Sequence, residues 1–370
     1  MDRFSRRQFL SRSSAAVAAV SAGISIPGAG WAQSDKKEQP QIRTLGRTGL
    51  KVTQVSFGGL QIGSPALLNA AIDEGINFIH VGTGYQNGKS IQFYGEVMKT
   101  RRDEVVLALK HNPQEGIDEP LKMLNTDHVD ILIPGIHSLE EINNPELPGA
   151  FEKLKKEGKI RFTGLAIHKN MAEVANRAIE LGFFDVVKPA YNVLNREEMD
   201  PVLEKAKKEQ NMGIMAMKVL RGLKRQDLTP EIAKGMFAEL LKNKNVDTLL
   251  MGMKSYEDLS ANMEACCQNY AQASPEGLDE MIRYAKANEC SSCGACDACP
   301  NGVAVCDILR FDHYRERGEQ DLALASYREL HPAQRADRCQ DCGQCSEVCP
   351  IRLDVPARLR QAHTAITALA

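Results

Sequence analysis

Short apolar runs alternate with longer amphipathic segments from Leu45 to about Tyr270. Most of the short runs are almost continuously apolar, which is typical of strands that are buried on both faces of a sheet. The segments between them have the helical period, as in Met171–Leu181 and Ile232–Leu241. The pattern predicts eight strands: Val52–Phe57, Asn77–Val81, Val105–Lys110, Val129–Ile133, Arg161–Ile167, Val186–Tyr191, Gly213–Val219 and Thr248–Met251.

This array predicts an α/β fold in which eight βα units close into a (β/α)8 TIM barrel over residues 42–272. A doubly wound sheet would share the same local pattern. A predicted signal peptide, residues 1–32, and a short polar linker, residues 33–41, precede the barrel. Residues 273–370 are predicted to form a small α-helical domain of the ferredoxin type.

The N-terminus has the pattern of a twin-arginine export signal. Arg6 and Arg7 are followed by an uncharged stretch from residue 13 to residue 34. Small residues at Gly30 and Ala32 favour cleavage after Ala32. An uncleaved membrane anchor is the alternative, but serines, glycines and a proline interrupt the apolar run. We therefore predict a periplasmic or otherwise exported protein with no stable membrane insertion.

The composition is typical of a globular protein, with 43% hydrophobic and 25% charged residues. The net charge is −2, and it becomes −5 when the four arginines and one aspartate of the leader are removed, leaving 42 basic against 47 acidic residues. This balance argues against a nucleic acid as the partner.

Two cysteine runs near the C-terminus predict iron–sulfur chemistry. They consist of Cys290, Cys293, Cys296 and Cys299, and of Cys339, Cys342, Cys345 and Cys349. The second run has the bacterial ferredoxin spacing, in which three cysteines hold one [4Fe–4S] cluster and the fourth crosses to the other cluster. The first run has one residue fewer before its last cysteine. The predicted ligand sets are Cys290, Cys293, Cys296 and Cys349 for one cluster, and Cys339, Cys342, Cys345 and Cys299 for the other.

Zinc is the alternative, since paired C-x2-C units also build zinc ribbons. One zinc ion with four cysteine ligands would leave the other four cysteines of the runs unused. Three further cysteines, Cys266, Cys267 and Cys306, lie outside the runs. We expect them to be small buried side chains, with a disulfide or a substitute ligand as the alternatives.

Basic side chains gather at the predicted C-terminal ends of the strands, where barrels of this class hold their chemistry. They are His80, Lys110, His111, His137, His168, Lys169, Lys188 and Lys218. A mouth lined by lysine and histidine favours an anionic or electron-rich small molecule.

Four segments of the chain match the pattern of a known family: Arg43–Val52, Gly75–Ile79, Gly158–Gly164, and Gly252–Ser255 together with Asn262. Through them the chain resembles the aldo-keto reductase family, in its branch with a C-terminal ferredoxin-like extension. The resemblance implies that Lys254, Ser255 and Asn262 would contact the 2′-phosphate of NADP(H).

The resemblance also implies a mechanism, in which a tyrosine gives a proton to a carbonyl while NADPH gives hydride. In that family a lysine, paired with an aspartate, lowers the pKa of the tyrosine, and a histidine orients the carbonyl. Tyr85 and Lys110 match the tyrosine and the lysine. His80 stands at the aspartate position, and the histidine position aligns with Gly135, two residues before His137. Lys110 should therefore have a lowered pKa, and Tyr85 should be a poorer acid.

The positions that grip the nicotinamide amide in the family hold Ala166, Ile167 and Lys188 in this chain. These side chains cannot offer the usual hydrogen bonds, so we expect free NADPH to bind weakly or not at all. An exported enzyme also meets no pool of free NADPH.

The sequence thus predicts an exported oxidoreductase that couples a small-molecule site at the barrel mouth to two [4Fe–4S] clusters and a redox partner. Tyr85, Lys110, His80 and His137 would handle protons. One alternative is a non-catalytic electron-transfer or binding protein on a degenerate barrel. Another is an NADP-dependent reductase in which His80 and His137 act as substitutes.

Overall fold

The computed structural model of the protein describes residues 40–222, 229–267 and 277–370, except for the side chains of residues 230 and 265–267. The predicted leader and almost all of the linker lie outside the described residues, as do the side chains of Cys266 and Cys267. Within the described ranges, no helix combines the length and the apolar content that a membrane-spanning segment needs.

Eight parallel strands close into a barrel, as the apolar pattern predicts. In chain order the strands of the described part are β1 (Ile42–Thr44), β2 (Lys51–Thr53), β3 (Val55–Gly58), β4 (Phe78–Gly82), β5 (Val106–Lys110), β6 (Val129–Leu132), β7 (Ile160–Ile167), β8 (Val186–Pro189), β9 (Gly213–Ala216) and β10 (Thr248–Gly252). Strands β3 to β10 follow one another around the barrel. Leu249 pairs with Val55, and this register joins the last strand to the first.

The predicted first strand, Val52–Phe57, is divided in the structure. Its first half, β2, pairs antiparallel with β1 in a hairpin, and its second half, β3, enters the barrel. The division falls at Gln54, whose N–H donates to the Gln41 carbonyl at 2.7 Å and whose carbonyl accepts from the Leu249 N–H at 2.8 Å. One residue thus ends the hairpin ladder and begins the barrel ladder.

Helices follow the barrel strands and cover the outside of the barrel. The described helices are α1 (Pro65–Asp73), α2 (Lys89–Arg101), α3 (Asp118–Leu124), α4 (Leu139–Ile142), α5 (Glu146–Lys156), α6 (Met171–Leu181), α7 (Arg196–Gln210), α8 (Pro230–Leu241), α9 (Tyr256–Cys267), α10 (Leu278–Asn288), α11 (Val305–Glu316), α12 (Gln320–Glu329), α13 (Gln344–Glu347) and α14 (Val355–Thr367). Helix α6 has the predicted bounds and buries Val174, Ala178 and Ile179 against the barrel core.

The C-terminal helices build a second, smaller core. Side chains of α11, α12 and α14 pack together there, among them Ile308, Tyr327 and Leu359. Six cysteines of the two runs are partly buried against this core: Cys290, Cys296, Cys299, Cys339, Cys345 and Cys349. Helix α10 packs instead against the barrel core through Leu278.

The hairpin of β1 and β2 is fixed to the lower end of the barrel by a close backbone contact. Gly46 has a φ of +47°, and a Cβ at this position would lie 2.3 Å from the Gly213 nitrogen and 2.4 Å from the Asn211 oxygen. Gly49, in the same hairpin, also has a positive φ, of +70°, but a Cβ there would meet nothing within 4 Å.

We therefore expect Gly46→Ala to lower the free energy of unfolding by about 3 kcal/mol or more, because backbone atoms must move apart. Gly49→Ala should cost only about 1–2 kcal/mol, since it adds a left-handed backbone penalty and no clash. Denaturant unfolding of the two variants measures the difference. Equal losses would show that the close approach does not constrain the hairpin.

Candidate functional site at the barrel mouth

A cavity of about 570 Å³ opens at the C-terminal ends of the strands. This volume is in the usual range for small-molecule sites. Its wall comes from two parts of the chain: the barrel supplies His80, Tyr85, Lys110 and Lys188, and the C-terminal segment closes the cavity from the other side. The residues that line it from that segment are Arg310, His313, Tyr314, Arg317, Glu319, Leu322 and Ser326.

Positive charge dominates the cavity. The lysines and arginines that line it are Lys110, Lys188, Lys218, Arg221, Lys254, Arg310 and Arg317. The carboxylates in its wall are Asp258 and Glu319. Seven basic side chains thus stand against two carboxylates among the described residues of the lining, a balance that favours anions. Burial lowers the pKa of Lys110, Lys188 and Lys218, and an anion in the cavity would favour their protonated forms.

His80 and Lys188 form a buried pair inside the barrel. The Lys188 Nζ lies 2.6 Å from the His80 Nε2, and each residue is only 1% exposed. Burial, and then the charges of Lys110 and Lys218, lower the pKa of Lys188 well below its usual value. Burial, and then the charges of Lys188 and Lys110, likewise lower the pKa of His80. An imidazole thus partners this lysine inside the barrel, and no carboxylate is bonded to either side chain in the described part of the chain.

Tyr85 and Lys110 approach each other without the hydrogen bond that would activate the phenol. The Tyr85 ring packs on Gly82, where a Cβ would lie 3.0 Å from the ring. The Lys110 Nζ lies over the ring face, 6.0 Å from its centroid. Burial raises the pKa of Tyr85, with smaller effects of Tyr314 and Glu319, and burial lowers the pKa of Lys110. Both directions agree with those expected from the sequence.

His137 stands behind the cavity wall and not in it. Its Nε2 lies 3.1 Å from the place where a Cβ of Gly135 would be, so the ring fills space that a side chain at position 135 would use. The ring packs edge-on against His168, with 5.1 Å between the centroids. Burial lowers the pKa of His137 to about 3, with a smaller contribution from Arg310 and Lys110, so the ring is neutral at physiological pH. His168 lines the cavity, whereas His137 does not.

The predicted phosphate-binding segment lies at the rim. Lys254 and Asn262 line the cavity. The Ser255 hydroxyl accepts from the Asp258 N–H at 3.2 Å, and the Asp258 carboxylate accepts from the Lys254 N–H at 2.9 Å. Ser255 therefore caps helix α9, and its hydroxyl oxygen is already engaged by the helix N-terminus.

Helix α11 brings a second phenol into the mouth. The Tyr314 oxygen accepts from the Lys218 Nζ and from the Arg310 Nη1, both at 3.1 Å. The sequence-based prediction missed Arg310 and Tyr314, because they follow no strand. Their spacing of four residues places both on one face of a helix, but only the tertiary structure turns that face toward the barrel.

The cysteines are brought together in two groups. Cys299, Cys339, Cys342 and Cys345 line one cavity of about 290 Å³, which Cys296 also touches. In the other group, the pKa of the Cys293 thiol is raised by burial and by the nearby sulfurs of Cys290 and Cys349. Cys299, the last cysteine of the first run, thus lies with the cysteines of the second run, and Cys349, the last of the second run, lies near Cys293 of the first.

The thiols are free in the part of the chain whose side chains are described, and Cys306 is fully buried. Among those residues, no three His, Cys, Asp or Glu side chains converge closely enough for a single metal ion. A four-iron cluster is wider than one ion, so its cysteine ligands stand farther apart. The grouping of the cysteines fits the crossed ligand sets.

Comparisons with known proteins agree with the barrel. The model of the aldo/keto reductase family matches residues 63–278, a range that ends before Cys290. The uncharacterized oxidoreductase YqkF of Bacillus subtilis is 27% identical over 147 residues, which cover 34% of this chain and 48% of that protein. L-galactose dehydrogenase of Arabidopsis thaliana is 34% identical over 155 residues, with the same coverage of 34% and 48%. The matches thus span about half the length of these relatives.

A solved structure from Pseudomonas aeruginosa, assigned to the aldo-keto reductases, superposes with a TM-score of 0.54 at 25% identity. The match covers 97% of that chain but 63% of this one. The barrel therefore accounts for the likeness, and a large part of this chain has no counterpart there.

The buried lysine at position 188 should make stability depend on pH. Since its pKa is lowered in the folded state, the unfolded chain binds a proton that the folded chain lacks, so stability should rise with pH up to about pH 10. Lys188→Met should stabilise the protein at neutral pH and reduce this slope by up to about 1.4 kcal/mol per pH unit. The exposed Lys208→Met is the control and should leave the slope unchanged. Denaturant unfolding at several pH values makes the measurement, and an unaltered slope in Lys188→Met would contradict the expectation.

Proposed function

Because the chain belongs to the aldo/keto reductase family, we propose that it is an exported iron–sulfur oxidoreductase of that fold. In this proposal the barrel mouth binds a small anion, and two [4Fe–4S] clusters exchange electrons with a redox partner. The observation that carries the proposal is that one segment of the chain both bears the cysteine runs and lines the mouth.

The eight cysteines of the runs would hold the clusters in the crossed sets. One set is Cys290, Cys293, Cys296 and Cys349, and the other is Cys299, Cys339, Cys342 and Cys345. A bound cluster supplies one-electron transfer. The second hydrophobic core supports the assignment, because the thiols that pack against it are partly shielded from water. Shielding of this kind is one of the features that set cluster potentials.

The mouth residues would bind and orient the anion. Lys110, Lys188 and Lys218 come from three different strand ends, so the rigid barrel fixes the distances between them. Tyr85 and Lys110 line the cavity and are the groups that would handle protons there, together with His80, which also lines it and partners Lys188. His137 would act indirectly, since its Nδ1 accepts from the His168 N–H at 3.3 Å and holds that residue in the wall.

Ion pairs tie the first cysteine run to the barrel. Lys169, which follows β7, pairs with Asp297 at 2.8 Å and with Asp307 at 2.7 Å. Asp297 is the neighbour of Cys296, and Asp307 also pairs with Arg310 in the mouth wall. This short chain of contacts supports electron exchange between the cysteine segment and the mouth.

Export remains part of the proposal, since the leader lies outside the described residues. The twin arginines and the uncharged stretch after them support it. Replacement of both Arg6 and Arg7 by lysine should hold the precursor in the cytoplasm, and export at the normal level would refute the route.

Double variants test the crossed cysteine sets. The protein should contain about eight iron atoms and eight labile sulfides per chain. Cys293→Ser with Cys349→Ser removes two ligands of one cluster, so about four iron atoms should remain. Cys342→Ser with Cys349→Ser removes one ligand from each cluster, so both should be damaged.

Iron and sulfide analysis of anaerobically purified protein gives the result, and Cys306→Ser is the control that keeps full loading. If Cys293→Ser with Cys349→Ser damages both clusters, and Cys342→Ser with Cys349→Ser leaves about four iron atoms, the runs do not cross. Stoichiometric zinc without sulfide would exclude iron–sulfur clusters altogether.

An NADP-dependent reductase is the second candidate function, favoured by Lys254 and Asn262 at the rim. It is opposed by Ala166, Ile167 and Lys188, which replace the contacts to the amide. Two or three lost contacts, at about 0.5–1.5 kcal/mol each, should weaken NADPH binding about ten- to several-hundredfold. The expected result of an NADPH titration is therefore weak or absent binding. Micromolar binding with carbonyl reduction that Tyr85→Phe abolishes would favour the reductase instead.

A further inference from the structure

We infer that the ligand of the mouth carries an acid group, a carboxylate or a phosphate, which binds where Lys218 of the barrel meets Arg310 and Tyr314 of helix α11. We call these three residues the seam site. The inference rests on the proposed function in one respect only, that the mouth is the ligand site. It adds which end of the ligand is charged and which part of the chain recognises it.

The first observation is the convergence of two basic side chains on one phenol oxygen. The Lys218 Nζ and the Arg310 Nη1 both donate to the Tyr314 hydroxyl at 3.1 Å. Guanidinium groups and protonated amines can only donate hydrogen bonds. The Lys218 Nζ also lies over the Tyr314 ring, 4.8 Å from its centroid. A phenol accepts these hydrogen bonds but has no negative charge to balance the Arg310 guanidinium or a protonated Lys218.

The second observation is the local charge balance. Lys169 and Arg310 are balanced by Asp297 and Asp307, to which they pair. Lys218 lies outside these pairs, since its hydrogen bond goes to the Tyr314 phenol.

Arg221 is also outside those pairs. Its Nη1 donates to the Ser292 hydroxyl at 2.6 Å, and the residue is only 4% exposed. Burial, and then the charges of Arg310 and Arg221, lower the pKa of Lys218 well below its usual value, and the Glu319 carboxylate opposes this only in part. The seam site therefore lacks the negative charge that would hold Lys218 protonated, and the acid group of a ligand would supply that charge.

The third observation is a pair of buried polar atoms that find no hydrogen-bond partner among the residues that the structure describes. They are the Nε of Arg310 and the Nδ1 of His168. Both residues line the cavity, one from each side of the seam. Buried donors are rarely left unpaired, and the oxygens of an acid group can accept from an arginine Nε.

The backbone of Lys218 gives a further indication. Its φ is +57°, in the left-handed region that residues other than glycine rarely adopt. Strained residues of this kind persist where the surrounding structure holds them, and they concentrate at ligand sites. Met217, the residue before it, still pairs with Ala190 and so extends the barrel sheet. The left-handed turn follows directly, and the Lys218 side chain donates to the Tyr314 phenol of α11.

Calorimetric titration of the cluster-loaded full chain with sodium acetate and, separately, with inorganic phosphate tests the inference. At least one of the two should bind with a stoichiometry of about one per chain, and the tighter one identifies the acid group. Lys218→Gln removes a charge-assisted hydrogen bond and should weaken that binding at least about tenfold. Lys218→Arg keeps the charge and should largely restore it.

Arg315→Gln is the matched control. Arg315 lies on the same helix and pairs with Asp312 at 2.7 Å, but it does not line the cavity. Its replacement should leave the affinity within about twofold, because screened charges at a distance contribute little. The inference is overturned if neither anion binds saturably, if Lys218→Gln binds as tightly as the native chain, or if Arg315→Gln weakens binding equally.

Iron and sulfide analysis of the same samples keeps this result separate from the proposed function. Loss of the iron–sulfur assignment with intact anion binding would leave the seam site standing. Full cluster loading with no anion binding would overturn the seam site and leave the clusters in place.

Discussion

The organisation of the mouth depends on the burial of lysine side chains that have no carboxylate partner in the described part of the chain. Lys110 ends β5, Lys188 lies within β8, and Lys218 follows β9, so the closed barrel holds all three near one cavity. Strand ends in a barrel cannot move apart to relieve repulsion. A buried charge must then find a partner or lose its proton. Here the partners are neutral, an imidazole for Lys188 and a phenol for Lys218.

The C-terminal segment is needed to complete this arrangement. Without helix α11, Lys218 would lose its phenol partner and the cavity would lose the side that carries Arg310. The helix is held in turn by Asp307, which pairs with Lys169 of the barrel. The same residues therefore attach the cysteine segment and shape the mouth, and neither part makes the site alone.

The sequence predicts the barrel well, because strands that are buried on both faces leave an unmistakable apolar pattern. The sequence predicts the strand boundaries less well, because tertiary contacts decide where a strand begins and ends. The apolar run at Val52–Phe57 is split between a hairpin and the barrel, since Gln54 pairs in both directions. The run from Gly213 ends as a strand at Ala216, before the left-handed turn at Lys218.

The site divides in the same way. Residues at strand ends, such as Lys110 and Lys188, could be placed at the mouth from the fold class alone. Tyr314 could not, because it lies 96 residues from Lys218 and its approach depends on how a separate helical core docks. His80 stands where the family has an aspartate, and the effect of this replacement on the mouth can be judged only together with the contact between Lys218 and Tyr314. An aspartate at position 80 would hold a neighbouring lysine protonated and balance its charge, whereas the imidazole of His80 adds no negative charge to the field of the mouth. With α11 adding Arg310 to that field, the mouth is electrostatically suited to a charged ligand.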